Sequence, residues 1–147
     1  MEKLDQGKYV FTYHQSSTRQ GLNLEDMKIC HIIPKVISIE VDGESNIQIG
    51  TDFPEGKPLE RMRWDYNNIA KFFEKSVKNL YNFDAQSNST SGIFMVFDDM
   101  TAVLIEKSET SSNYTKCLVG TLTSSSEKQE ENKEESSYFS NSYCVIC

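Results

Sequence analysis

The tetrapeptide Cys144-Val145-Ile146-Cys147 is a thiol followed by two aliphatic side chains and one more residue. A prenyltransferase grips this pattern by binding the cysteine to zinc as a thiolate and the aliphatics in an apolar tunnel. Cys144 is the expected lipidation site. The last residue, Cys147, departs from the usual Ser, Met, Gln, Ala or Leu, so farnesyl and geranylgeranyl both stay open. Two other readings compete: a chance match, and a C-x-x-C pair for zinc or redox chemistry. A structural zinc site needs four ligands, and the remaining candidates are Cys30, His31, Cys117 and His14. Cys30 and His31 adjoin in an expected strand and so point to opposite faces. A redox pair needs a helix N-terminus to lower its thiol pKa, where coil is expected here.

One lipid chain gives marginal, reversible membrane binding, and stable anchoring takes a second signal. No polybasic stretch supplies one. Tyr138, Phe139 and Tyr143 suit the headgroup region, where aromatic rings favour the interface. They are the expected membrane-interface residues. The acidic run ends at Glu135, up to ~30 Å of extended chain before Cys144. That exceeds the screening length of ~8 Å at physiological salt, so its repulsion from an anionic leaflet is damped.

The rest of the chain carries no phosphate-binding loop, dinucleotide fingerprint, H-E-x-x-H or G-x-S-x-G. His31 beside Cys30 invites a Cys/His nucleophile, but strand neighbours do not easily hydrogen-bond side chain to side chain. Asp98-Asp99 falls where a hairpin turn is needed and reads as turn chemistry rather than a metal site. No catalytic residue, cofactor or metal is therefore assigned. A formal charge of −7 argues against nucleic acid as a partner and against a polybasic membrane patch. No apolar run is long enough to span a bilayer. The first residues lack an apolar signal core, and Glu2 stands where N-myristoylation requires glycine. The cysteines are then expected to be reduced and cytosolic.

The elements that must carry these residues follow from periodicity. A strand is expected at 9–14. A β-branched run over 29–41 is interrupted by Pro34, which marks a bulge, an edge or a break. It meets the turn pair Asp42-Gly43 and returns as Ile47-Gln48-Ile49. Residues 50–63 hold Pro54, Gly56 and Pro58 and read as a loop. With Asp65 as N-cap, Tyr66, Ile69, Ala70, Phe73, Val77, Leu80 and Tyr81 recur at helical spacing, which predicts one amphipathic helix over 65–81. Strands follow at 92–97, 101–105 and 116–122. The fold class expected is α+β, an antiparallel sheet with one main amphipathic helix packed on a face. One domain spans 1–123, a disordered acidic tail 124–143, and the prenylation motif 144–147.

The glutamates of that tail, Glu127, Glu130, Glu131, Glu134 and Glu135, are set among Ser and Lys shortly before Cys144. The cluster resembles the C-terminal export signal of Legionella-type Dot/Icm type IV secretion effectors, some of which carry a CaaX box prenylated by host enzymes. The resemblance covers about 24 residues and none of the domain. It implies export into a host cell, prenylation there, and delivery of a small domain to a membrane. The expected function is a prenylated binding or adaptor protein on the cytosolic face of a membrane, a host membrane if it is an effector. Its partners are a prenyltransferase and membrane lipid through the tail, and a protein through the domain. The alternatives are a small Cys/His enzyme, and a soluble cytosolic adaptor whose CaaX-like end is accidental.

Overall fold

The computed structural model describes residues 2–20, 29–62, 64–84, 90–107 and 114–125. Its elements are β1 (Gly7–Gln20), β2 (Cys30–Val41), β3 (Ile47–Ile49), β4 (Gly56–Pro58), α1 (Trp64–Phe73), β5 (Val77–Phe83), β6 (Ser91–Phe97), β7 (Thr101–Lys107) and β8 (Tyr114–Ser124). Each strand pairs antiparallel with the next, and β8 pairs back onto β1. The result is a closed up-and-down barrel of eight strands, not an open α+β sheet.

Two buried layers explain this outcome. Alternate residues of the strands, such as Phe11, Ile39, Ile49, Tyr81, Phe94 and Leu104, fill the barrel interior as one cluster. The opposite parity of β5–β8, including Leu80, Met95, Val103, Ile105 and Val119, forms a second cluster outside the wall, under Tyr66, Ile69 and Ala70 of α1. Strands covered on both faces lose polar alternation and read as continuous apolar runs.

The predicted helix over 65–81 is accordingly corrected. α1 stops at Phe73, and Val77, Leu80 and Tyr81 belong to β5. Glu74 takes a left-handed conformation (φ 53°). Its N–H donates to Lys71 O at 3.0 Å, and Lys75 N–H donates to Ala70 O at 3.2 Å. This pair of bonds is a Schellman stop built without glycine. The expected loop at 50–63 likewise contains a short strand, β4.

Close approaches shape the wall. Gly120 lies between Tyr13 of β1 and Ala102 of β7, and a Cβ there would overlap the carbonyl of Thr12. β1 slips register against both neighbours between Tyr13 and Gln15. A glycine beside a bulge lets a barrel turn a corner. At the other end the N-terminal segment continues the line of β4 along β5. Glu2 N–H donates to Lys78 O (3.1 Å) and Leu59 N–H to Leu80 O (2.9 Å). Asn79 Nδ2 donates to Glu2 O (2.8 Å) and Leu4 N–H to the Tyr81 hydroxyl (2.6 Å). On β1–β3 the apolar residues Phe11, Ile39 and Ile49 point inward, while Lys8, Glu40 and Gln48 face outward.

Candidate binding cleft on the barrel wall

β2 runs Cys30–Val41, whereas its neighbour β3 is only Ile47–Ile49. β3 therefore pairs only Ile39, Glu40 and Val41, and a last bond joins Gly50 N–H to Ser38 O at 2.8 Å. Over 30–37, among the described residues, no strand pairs with β2 on the side away from β1. Antiparallel bonding alternates along a strand. Since Ser38 faces β3, the N–H and C=O of Val36 face the open side. Pro34, two residues on, has no N–H to offer, the device by which exposed edges are blunted.

The chain after β3 curls away from this edge. Gly50 has a left-handed φ of 51°. Gln48 Nε2 donates to Phe53 O at 2.5 Å and to Gly50 O at 3.4 Å, pinning the turn. Phe53 drops into the barrel with its ring 5.4 Å from that of Phe83. What remains outside is a cleft of about 580 Å³, lined among others by Lys8, Val36, Ser38, Glu40, Asp52 and Ser125. This volume lies in the ordinary range of ligand sites. Its walls are polar, with a cation, two carboxylates and a strand edge left unpaired by the described residues, which suits an extended polypeptide more than an apolar small molecule.

Charges near the barrel mouth are tuned by burial. Glu106 shares the inward parity of Leu104 and is raised by desolvation; Lys116, 3.8 Å away, opposes that shift, and Asp52 reinforces it. Tyr13 is raised by burial and then by Glu106. Outside the mouth, Asp99 accepts from Lys75 Nζ at 2.5 Å and from Thr101 N–H at 3.0 Å. The Lys75 bond is the main reason its carboxyl is lowered to about 2. The Thr101 contact, two residues on, is the turn chemistry expected of Asp98-Asp99, whereas the Lys75 pair reaches across 24 positions.

The sequence-expected site residues fall as follows. Cys144, the glutamates Glu127, Glu130, Glu131, Glu134 and Glu135, and the aromatics Tyr138, Phe139 and Tyr143 all lie outside the described residues. His14 sits half-buried at the β1 register slip, and exposed His31 lies 3.5 Å from Gln15 Nε2 through Nδ1. Cys117 is buried and free, its thiol pushed up to about 12 by desolvation, so it offers no thiolate at neutral pH. Cys30 is disulfide-bonded, against the expectation of reduced thiols. Among the described residues no group of three His, Cys, Asp or Glu side chains converges as a metal site.

Sequence reasoning missed the cleft itself. One signal pointed to it: a long β-branched run facing a three-residue partner, with Pro34 in the unmatched part. Compared with protein-family models, with curated proteins and with solved structures, the chain finds no match.

Proposed function

We propose that this protein is a small binding module that takes an extended polypeptide along the open edge of β2, and that a prenyl group on Cys144 holds it at a cytosol-facing membrane. The observation that supports binding is the cleft beside a strand edge that no described residue pairs over 30–37, with Val36 presenting backbone donor and acceptor and Lys8, Glu40 and Asp52 flanking them. Adding a strand gives affinity through main-chain bonds, and the flanking side chains give selectivity. The Cys/His enzyme reading has less support, because Cys117 is held neutral and Cys30 is in a disulfide.

The membrane half of the reading rests on sequence. With Cys147 as the terminal residue, the tetrapeptide fits a prenyl acceptor, and 18 residues separate Ser125 from Cys144. That length reaches up to ~60 Å, enough for a transferase to work clear of the barrel. Export by a type IV system into a host cell, through Glu127 to Glu135, belongs to the same proposal and is supported only by the resemblance of the tail.

Proximity labelling in eukaryotic cells tests both halves with separate variants. Glu40→Arg with Asp52→Arg is expected to keep the membrane signal and lose the labelled partner. Cys144→Ser is expected to become diffuse and to keep the partner. Unchanged labelling in the first variant overturns the cleft; unchanged distribution in the second overturns the anchor.

A further inference from the structure

We infer that the segment taken up beside β2 is cationic: an extended polypeptide that sets a Lys or Arg side chain against Asp52, on the acidic flank formed by residues 36–56. This deepens the strand-addition reading above and rests on it.

The place for that side chain follows from register. β3 pairs Ile49 with Ile39, and Gly50 N–H still reaches Ser38 O at 2.8 Å. Continued straight, the same register would set Thr51 opposite Ile37 and Asp52 opposite Val36. The left-handed turn at Gly50 takes both residues out of that line and leaves them lining the cleft. An incoming strand that occupies the line therefore runs past Asp52, and its residue opposite Val36 projects to the same side of the wall as Val36. Ile37 packs against the interior cluster, so the incoming residue opposite it turns toward the barrel.

Charge selects the residue type. Of the ionic groups lining the cleft, Lys8 and Glu40 are direct cross-strand partners and offset each other. Asp52 is the remainder: among the described residues its carboxylate has no ion-pair or hydrogen-bond partner. Around it, residues 36–56 carry Glu40, Asp42, Glu44, Asp52 and Glu55 and no Lys or Arg. Lys35, the cation of β2, stands opposite Tyr13 on the inward parity of Ile37. Asp52 also adds to the shift that burial imposes on Glu106, whose ion pair to Lys116 is long at 3.8 Å. A guanidinium or ammonium beside Asp52 offsets that repulsion. It also meets the field of the whole flank, which speeds the arrival of cationic segments.

Fluorescence anisotropy on the full chain tests this with capped peptides of about ten residues, with Val alternating for the barrel side and Thr for the cleft side. The peptides are alike except for Lys, Gln or Glu in place of one central Thr. The Lys peptide is expected to bind about fivefold tighter than the Gln peptide, as befits a surface ion pair, and the Glu peptide weakest. At about 1 M salt, where the screening length is ~3 Å, the affinities are expected to converge. Asp52→Lys, at an exposed position, is expected to reverse the order, so that the Glu peptide binds best. Lys and Gln peptides that bind equally well overturn the cationic preference and leave strand addition standing. An unchanged order in Asp52→Lys overturns the assignment to Asp52. No binding by any of the peptides overturns strand addition and this inference with it. Dimers of the chain alone that every peptide dissociates equally make a second copy the occupant, and so overturn a cationic partner.

Discussion

Gly120 is the residue with the least freedom to change, because the carbonyl of Thr12 occupies the space a Cβ would need. Backbone cannot step aside there without parting β8 from β1 at the register slip. Gly120→Ala is expected to cost about 3 kcal/mol or more in urea unfolding, whereas Gly43→Ala, which meets only the end of the Gln6 side chain at 3.6 Å, is expected to change stability by less than ~0.5 kcal/mol. Tyr81 makes a second, pH-dependent case. Burial lifts its hydroxyl from 10.0 to about 12, although the bond from Leu4 N–H pulls the other way. The folded value lies above the unfolded one, so the contribution is complete below pH 10 and fades as pH climbs towards 12. The urea midpoint is expected to fall across that window, and less steeply in Tyr81→Phe. At neutral pH the same substitution leaves Leu4 N–H without its acceptor and costs about 1 kcal/mol. Sequence reading could name neither residue, since one depends on a carbonyl from a strand over a hundred positions away and the other on a segment 77 residues distant.

At the level of elements, local signals were legible and terminations were not. Asp42-Gly43 and Asp98-Asp99 announced their turns because a turn is built from its own few residues. Pro34 announced trouble in β2, and the unpaired edge and the register slip are that trouble. The end of α1 was silent. Helical spacing ran on through Val77, Leu80 and Tyr81 because β5 is buried on both faces, and the stop falls on Glu74 rather than a glycine. A non-glycine residue in the left-handed region costs ~1 kcal/mol. Glu74 is exposed. Glu74→Gly is therefore expected to stabilise the protein by about 1 kcal/mol, read as a higher Tm, and no gain would show that the Schellman stop carries no strain. The face of α1 gives the opposite sign. Ile69 is 2% exposed between the helix and the wall, and Ile69→Ala is expected to cost 2–4 kcal/mol, about the cost of a cavity in any close-packed core. β4, three residues with Gly56 at its start and Pro58 at its end, was hidden inside what composition marks as loop.

Barrel closure belongs to the whole molecule, and no window of sequence contains it: β1 meets β8 across most of the chain. Closure is also uneven. β6 pairs with β7 along nearly its whole length, and β7 with β8 likewise, under the cover of α1. On the far side β3 and β4 share a single register pair, Ile47 with Gly56, and β3 holds β2 at only three positions. The N-terminal segment completes that side through Leu4 and the bond of Glu2 to Lys78. Local opening follows the sparsest pairing, so the barrel should open at this seam, beside the cleft, long before it unfolds. Hydrogen exchange followed by mass spectrometry is expected to show 44–60 exchanging fastest and 91–105 slowest. Removal of residues 1–5 should widen that gap and lower global stability by about 3 kcal/mol, the sum of one buried leucine and the lost main-chain bonds. Uniform exchange across both regions would mean that the barrel opens as one unit. The cleft would then be a fixed surface feature rather than the place where the wall gives way to an added strand.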